Sequence, residues 1–163
     1  QQRDKLYEEA LSTLDALQSV VTREQGGEPQ MQGLEQKELK ALYAHRAVVL
    51  QRLGRHKEAE EFYKKFLTVS HVHSRDNYLI MPYLFDRRMY DEIIRMNTAR
   101  EQFLISQRAS VNNHMVTNKR TLGEAYASKG DYRRSTHYYK QLSILCDSIK
   151  KREERNTALE LAA

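Results

Sequence analysis

Six histidines, one cysteine and ten tyrosines are the residues of this chain with the most chemistry to offer. His71-Val72-His73 sets two imidazoles in alternation, and two neutral ring nitrogens are the beginning of a metal site. No carboxylate or third ligand stands at helical spacing beside them, so the segment reads as an exposed turn and no metal is expected. His45, His56, His114 and His137 are scattered, and helix-surface or interface roles suffice for them. Cys146 has no second cysteine to oxidise with, and a zinc site built on paired thiolates is excluded for the same reason. No nucleophile, base and orienting group can be placed together, so an enzyme is not expected, nor a cofactor.

Tyrosines beside basic residues could stack bases and contact phosphates, as single-strand binders do. Tyr43, Tyr63, Tyr126, Tyr132 and Tyr139 instead fall where packed helices call for aromatics. Arg87-Arg88, Arg133-Arg134 and Lys150-Lys151 sit near turns and helix starts and share no stripe. The 27 basic and 22 acidic residues, net +5, are interspersed along the chain. A solvated mixed-sign surface follows, mildly favouring acidic partners, and no nucleic-acid partner is expected.

The elements that must position these residues are helices. Two prolines and six glycines in 163 residues leave long unbroken stretches, and 40% hydrophobic with 30% charged residues fits a globular protein. No segment approaches the roughly 18–20 apolar residues that cross a bilayer. The chain is expected to be soluble and to make no membrane contact of its own, any anchor lying outside it.

Two segments repeat one grammar. From Leu42 a helical pattern runs into Gly54 and a second starts at once, through Ala59 to Tyr63. From Thr121 a helical pattern runs into Gly130, followed by Asp131 and a second helix through Ser135 to Tyr139. A glycine just past a helix end closes the last turn in the left-handed conformation. Asp131 is placed to cap the next helix. Ala47 with Ala59, and Gly123 with Ser135, are small enough to let paired antiparallel helices approach. The first 25 residues carry an amphipathic stripe, Leu6, Ala10, Leu11, Leu14, Leu17, Val20 and Val21, broken at Gln25-Gly26-Gly27-Glu28-Pro29.

This arrangement resembles the tetratricopeptide repeat (TPR), a 34-residue helix-turn-helix unit. Ala47 and Gly123 match the small residue of its first helix, and Leu50 and Tyr126 the large residue three positions on. Ala59 and Ser135 match the small residue opening its second helix, and Tyr63 and Tyr139 its aromatic. Phe66 and Leu142 depart from the pattern where it usually has alanine, and His71 and Asp147 where it often has proline. Gly54 and Gly130 lie 76 residues apart, two 34-residue periods plus eight. A degenerate repeat fits between them, with a first helix from Tyr78 to Asp86, a turn at Arg87, Arg88 and Met89 in place of glycine, and a second helix from Asp91 to about Ser110.

The resemblance implies an all-α, right-handed superhelix of antiparallel hairpins, about seven or eight helices in one domain. Residues 1–25 form a leading helix, either the second helix of a hairpin or an N-terminal cap. Repeats at 40–73, 74–115 and 116–149 follow, and 150–163 form a C-terminal helix with Ile149, Ala158 and Leu159 as its sparse apolar contacts. In such arrays the first helices line a groove that receives a protein or peptide segment. Carried over, that geometry selects His45, Gln51 and Arg52, then Arg75, Tyr78 and Asp86, then Arg120 and Glu124. The lysine and asparagine set that clamps a terminal carboxylate in some TPR proteins is not reproduced.

Tyr138 to Arg155, continuing into Ala158-Leu159-Glu160-Leu161-Ala162, looks like the end of the TPR region of bacterial sensor histidine kinases and TPR-bearing transcriptional regulators. That resemblance implies a sensory or scaffolding input region without signalling chemistry of its own. It lies outside the cytoplasm in the sensor-kinase version and inside it otherwise. A structural spacer that dimerises through its terminal helices is the alternative.

Overall fold

The computed structural model describes residues 1–24 and 34–163, with the side chains of 21–36 left aside. The break expected at Gln25–Pro29 lies outside the described residues. Among the described residues seven α-helices follow one another: α1 Gln2–Glu24, α2 Leu34–Arg52, α3 His56–Val69, α4 Met81–Asp86, α5 Tyr90–Ser106, α6 Asn113–Ser128 and α7 Tyr132–Ala162, with a 3₁₀ turn at Arg75–Leu79 leading into α4. There is no strand among the described residues, and the fold is the all-α, TPR-like one that the repeat grammar implies. The chain forms two compact units, Gln1–Arg87 and Arg88–Ala163.

In the first unit α2 and α3 form a hairpin that turns at Gly54, with φ +78°. Gly54 N–H donates to the Gln51 carbonyl and Arg55 N–H to the Leu50 carbonyl, the paired bonds that close a helix end around a left-handed residue. Ala47 and Ala59 are both fully buried, as are Leu50 and Phe66. Behind α3, the Tyr63 ring lies 5.0 Å from that of Tyr83 on α4.

Arg46 of α2 is buried, ion-paired to Asp15 of α1, and stacked at 5.1 Å over the Phe62 ring of α3. Asp15 meets Arg46 while Tyr7 meets Arg52, so positions rise along α1 as they fall along α2 and the two helices are antiparallel. The expected stripe on α1 is only half used. Leu11 is buried, whereas Leu6, Leu17 and Val20 are more than half exposed, because α2 covers one side of a stripe broader than a single neighbour can bury.

The second unit repeats the design. Gly130, φ +84°, ends α6 with the same pair of bonds, Gly130 N–H to the Ala127 carbonyl and Asp131 N–H to the Tyr126 carbonyl. The Asp131 carboxylate accepts from Arg134 N–H at 3.1 Å, capping α7 as expected. Ser135 Oγ donates 2.8 Å to the Gly123 carbonyl, so the two small residues do meet across the hairpin.

A Cβ built on Gly123 would stand 3.0 Å from the Tyr139 ring. Tyr139 is 42% exposed and can swing aside, while alanine gains about 1 kcal/mol of helix propensity over glycine. Gly123→Ala is therefore expected to move the melting temperature little. Gly123→Leu, which the hairpin has no room for, is expected to cost about 3 kcal/mol by overpacking. Denaturant unfolding of the two variants checks this.

The middle turn falls where expected and is left-handed without a glycine, at Arg88 with φ 55°. Two details differ from the sequence-based expectations. The second helix of that repeat stops at Ser106 and not near Ser110. There Arg108 has φ 56°, with Arg108 N–H donating to the Ile105 carbonyl and Ala109 N–H to the Leu104 carbonyl, and the Asn112 side chain caps α6 by accepting from Met115 N–H.

The second difference is at the C-terminus, where no separate helix begins at Lys150. One 31-residue helix runs through it. Leu145 and Ile149 pack with Leu104 and Met115, and Arg152 donates to the Val111 carbonyl. Beyond that point every residue is exposed, including Ala158 and Leu159, so those two make none of the expected contacts. Nor does Tyr132 serve packing, being 71% exposed. Tyr83 is enclosed, and Tyr138 is partly buried.

Burial raises the phenol pKa of Tyr43, Tyr83 and Tyr138 above the ordinary value, because the charged form loses its hydration. The unfolded chain then ionises first, so these phenols support the fold fully below about pH 10 and progressively less above it. Melting temperature is expected to fall on passing pH 10 upward, and less steeply in Tyr83→Phe.

Candidate partner-binding cleft

Two contacts set first helices side by side. Lys40 Nζ lies 3.5 Å from Ser74 Oγ and 3.7 Å from Asp76. Twelve residues along α2, Arg52 Nε donates 3.2 Å to Asp86 Oδ2. Lys40 to Ser74 and Arg52 to Asp86 are each separated by 34 residues, one repeat period, and both contacts advance together along the chain. The 3₁₀ turn and α4 therefore run parallel to α2, as equivalent helices of successive repeats should.

At the C-terminal ends of α2 and α4 a cleft of about 760 Å³ opens, lined by Gln51, Arg52 and Asp86 together with Arg3, Asp4 and Tyr7 of α1. Arg52 is its hub. Beyond its bond to Asp86, it donates to Tyr7 Oη at 3.4 Å and lies 5.9 Å from that ring. Partial burial works against the Arg52 charge, but hydrogen bonds with Asp86 and Tyr7 outweigh it and raise the pKa of the guanidinium. Gln51 Oε1 accepts from His56 Nδ1 at 2.9 Å, which orients the amide.

Of the residues that the sequence selects, Gln51, Arg52 and Asp86 converge here. Arg52 and Asp86, expected as two independent ligand contacts, are each other's partner. His45, Arg75 and Tyr78 are exposed residues of the same unit that do not line the cleft. Arg120 and Glu124 are exposed on α6 in the second unit.

Sequence reasoning missed Arg3, Asp4 and Tyr7. The charge complementarity at a 34-residue offset, Arg52 with Asp86, was the available signal for the α2–α4 side. Nothing comparable points to α1, whose contribution arrives from 45 residues away through Tyr7 and Arg52.

Among the described residues no group of three or more His, Cys, Asp or Glu could hold a metal, and no helix is long and apolar enough to cross a membrane. His71 and His73 stack with ring centroids 6.1 Å apart, and Asn77 pins the turn by donating to the His71 and Val72 carbonyls. Their structural part is to shape the entry to the 3₁₀ turn.

Residues 41–70 match the family model described as tetratricopeptide repeat. No curated protein and no solved structure matches the chain. The matched residues cover most of the α2–α3 hairpin, whose glycine turn and buried alanines have just been described, and over that stretch the chain is similar to a tetratricopeptide repeat.

Proposed function

We propose that the chain is a non-catalytic peptide-binding module whose first-unit cleft receives an extended segment of a partner protein. A tetratricopeptide repeat is a protein-interaction element. The observation that carries the finer reading is the parallel pairing of α2 with α4, which gathers Gln51, Arg52 and Asp86 at one open polar cleft. His45, Arg75 and Tyr78 are exposed residues of the same unit available to extend the contact.

The test is selection from a random peptide display library, followed by affinity measurement on a selected peptide. Arg52→Glu, which reverses the hub charge and repels Asp86, is expected to weaken binding at least tenfold with the helical content unchanged. A library that yields no binder, or binders indifferent to Arg52→Glu, contradicts the reading.

One further feature supports a place in bacterial signal transduction, as the input or scaffolding region of a sensor kinase or regulator. Helix α7 leaves its hairpin without a break and projects, charged and exposed, past Arg152, as a helix that hands a state on to an output module would. An extracytoplasmic position belongs to the sensor-kinase version of this reading. The spacer alternative expects self-association, and a monomer across micromolar concentrations in sedimentation rules it out.

A further inference from the structure

We infer that α7 pairs with α7 of a second copy of this chain, antiparallel, along the face that carries Tyr132, Tyr139 and Cys146. Peptide binding in the first-unit cleft neither requires this pairing nor follows from it. The first hairpin shows what such a face takes. Tyr63 and Tyr139 each lie nine residues beyond a left-handed turn glycine, Gly54 and Gly130 respectively. Tyr63 is buried, with its ring 5.0 Å from that of Tyr83 on the neighbouring helix α4. Tyr139 holds the same place in its hairpin and is 42% exposed.

At the steps of three and four residues that make one helix face, Tyr132, Thr136, Tyr139, Ser143, Cys146 and Lys150 follow one another along α7, and all six are exposed. One edge of this stripe, at Ser135, Leu142 and Ile149, turns into the unit's own packing. The other edge carries Arg133, Lys140, Asp147 and Glu154, seven residues apart and all exposed. Two cations are followed by two anions. Laid antiparallel against itself, that order is its own complement: Arg133 meets the partner's Glu154, and Lys140 meets the partner's Asp147. Two-fold symmetry makes each of these pairs twice, and such an isologous contact closes at two copies. Glu154 meets Lys150 of its own helix at 4.0 Å, with both side chains more than half exposed, a contact that a nearer cation displaces.

The same register brings Ser143 opposite the partner's Cys146, small against small, and Tyr139 opposite the partner's Lys150, a cation beside an aromatic ring. Tyr132 then reaches the partner's Thr157, so the overlap runs for about 37 Å of helix at about 1.5 Å per residue. Other arrangements lose the complement. A slip of one heptad sets Lys140 on the partner's Lys140 or Asp147 on the partner's Asp147, and a parallel pair sets Lys150 on the partner's Lys150 in the seam. Like charges placed so count against each of them.

Sedimentation of the full chain across micromolar concentrations tests this. The unaltered chain is expected to form a reversible dimer, weakened several-fold between about 0.1 M and about 1 M salt as the screening length shortens from about 10 Å to about 3 Å. Lys140→Asp or Asp147→Lys alone brings like charges together twice and is expected to weaken the dimer at least tenfold. The double variant, Lys140→Asp with Asp147→Lys, restores opposite charges and is expected to return to within about threefold of the unaltered chain. An equimolar mixture of the two single variants is expected to form the mixed dimer. Unchanged melting temperatures show that the variants fold. A monomer at every concentration overturns the inference, as does a dimer that both single variants leave unaltered, or a double variant that stays as weak as the single ones. Peptide selection at the cleft is expected to be the same for all of these variants.

Discussion

Phe66→Ala is expected to destabilise the protein by about 3–5 kcal/mol, the cost of deleting a large core side chain and leaving its cavity. Phe66 is fully buried on α3, at a position where the repeat pattern usually keeps alanine. The chain has therefore built its first-unit core around a ring that the generic repeat does without, and the neighbouring helices cannot close over the vacancy without moving. Restoring the family's own residue should do harm, and denaturant unfolding reads this directly. A loss below about 1 kcal/mol would mean that the hairpin repacks freely, and that the position is as tolerant as the family pattern suggests.

Lys119→Met is expected to cost about 3 kcal/mol, and the double variant Lys119→Met with Glu101→Leu to recover most of it. Lys119 Nζ lies 3.1 Å from Glu101 Oε2, with the two side chains only 13% and 18% exposed. It also donates 2.6 Å to Gln141 Oε1 and sits 5.4 Å from the centre of the Tyr138 ring. Glu101 Oε2 is buried without a hydrogen bond to any other group. Removing the lysine strands a carboxylate away from water, and the loss of one partner is the costly way to break a buried pair; replacing both by apolar groups is often neutral. The double-variant cycle distinguishes this from simple loss of packing, since a packing loss would add across the two sites.

The parts of the fold legible in the sequence are those carried by a residue's own backbone or size. Gly54 and Gly130 announce left-handed turns, Asp131 announces a cap, and Ala47, Ala59, Gly123 and Ser135 announce close approach; each does in the structure what its type allows. Arg88 and Arg108 take the same left-handed conformation without glycine, because the flanking helices fix the geometry and an arginine bears a strain of about 1–2 kcal/mol there. No local pattern could announce that.

The cleft was legible by halves for a related reason. The resemblance to a repeat array says which helices line a groove, so Gln51, Arg52 and Asp86 could be selected, but it says nothing of which outward side chains meet. Pairing of Arg52 with Asp86, and the arrival of Tyr7 on both, are properties of neighbours in space. Burial by a neighbour likewise decides that Tyr83 is enclosed while Tyr132, placed in the packing by its position in the sequence, is open to solvent.

The claim on which the function depends is that a partner segment occupies the space between the ends of α1, α2 and α4. Backbone amide NMR during titration with a library-selected peptide measures this most directly. The expected result is a set of saturable shifts concentrated at Arg3, Tyr7, Gln51, Arg52 and Asp86. Shifts confined to the second unit or to the exposed end of α7, with these five residues unmoved at saturation, would contradict it.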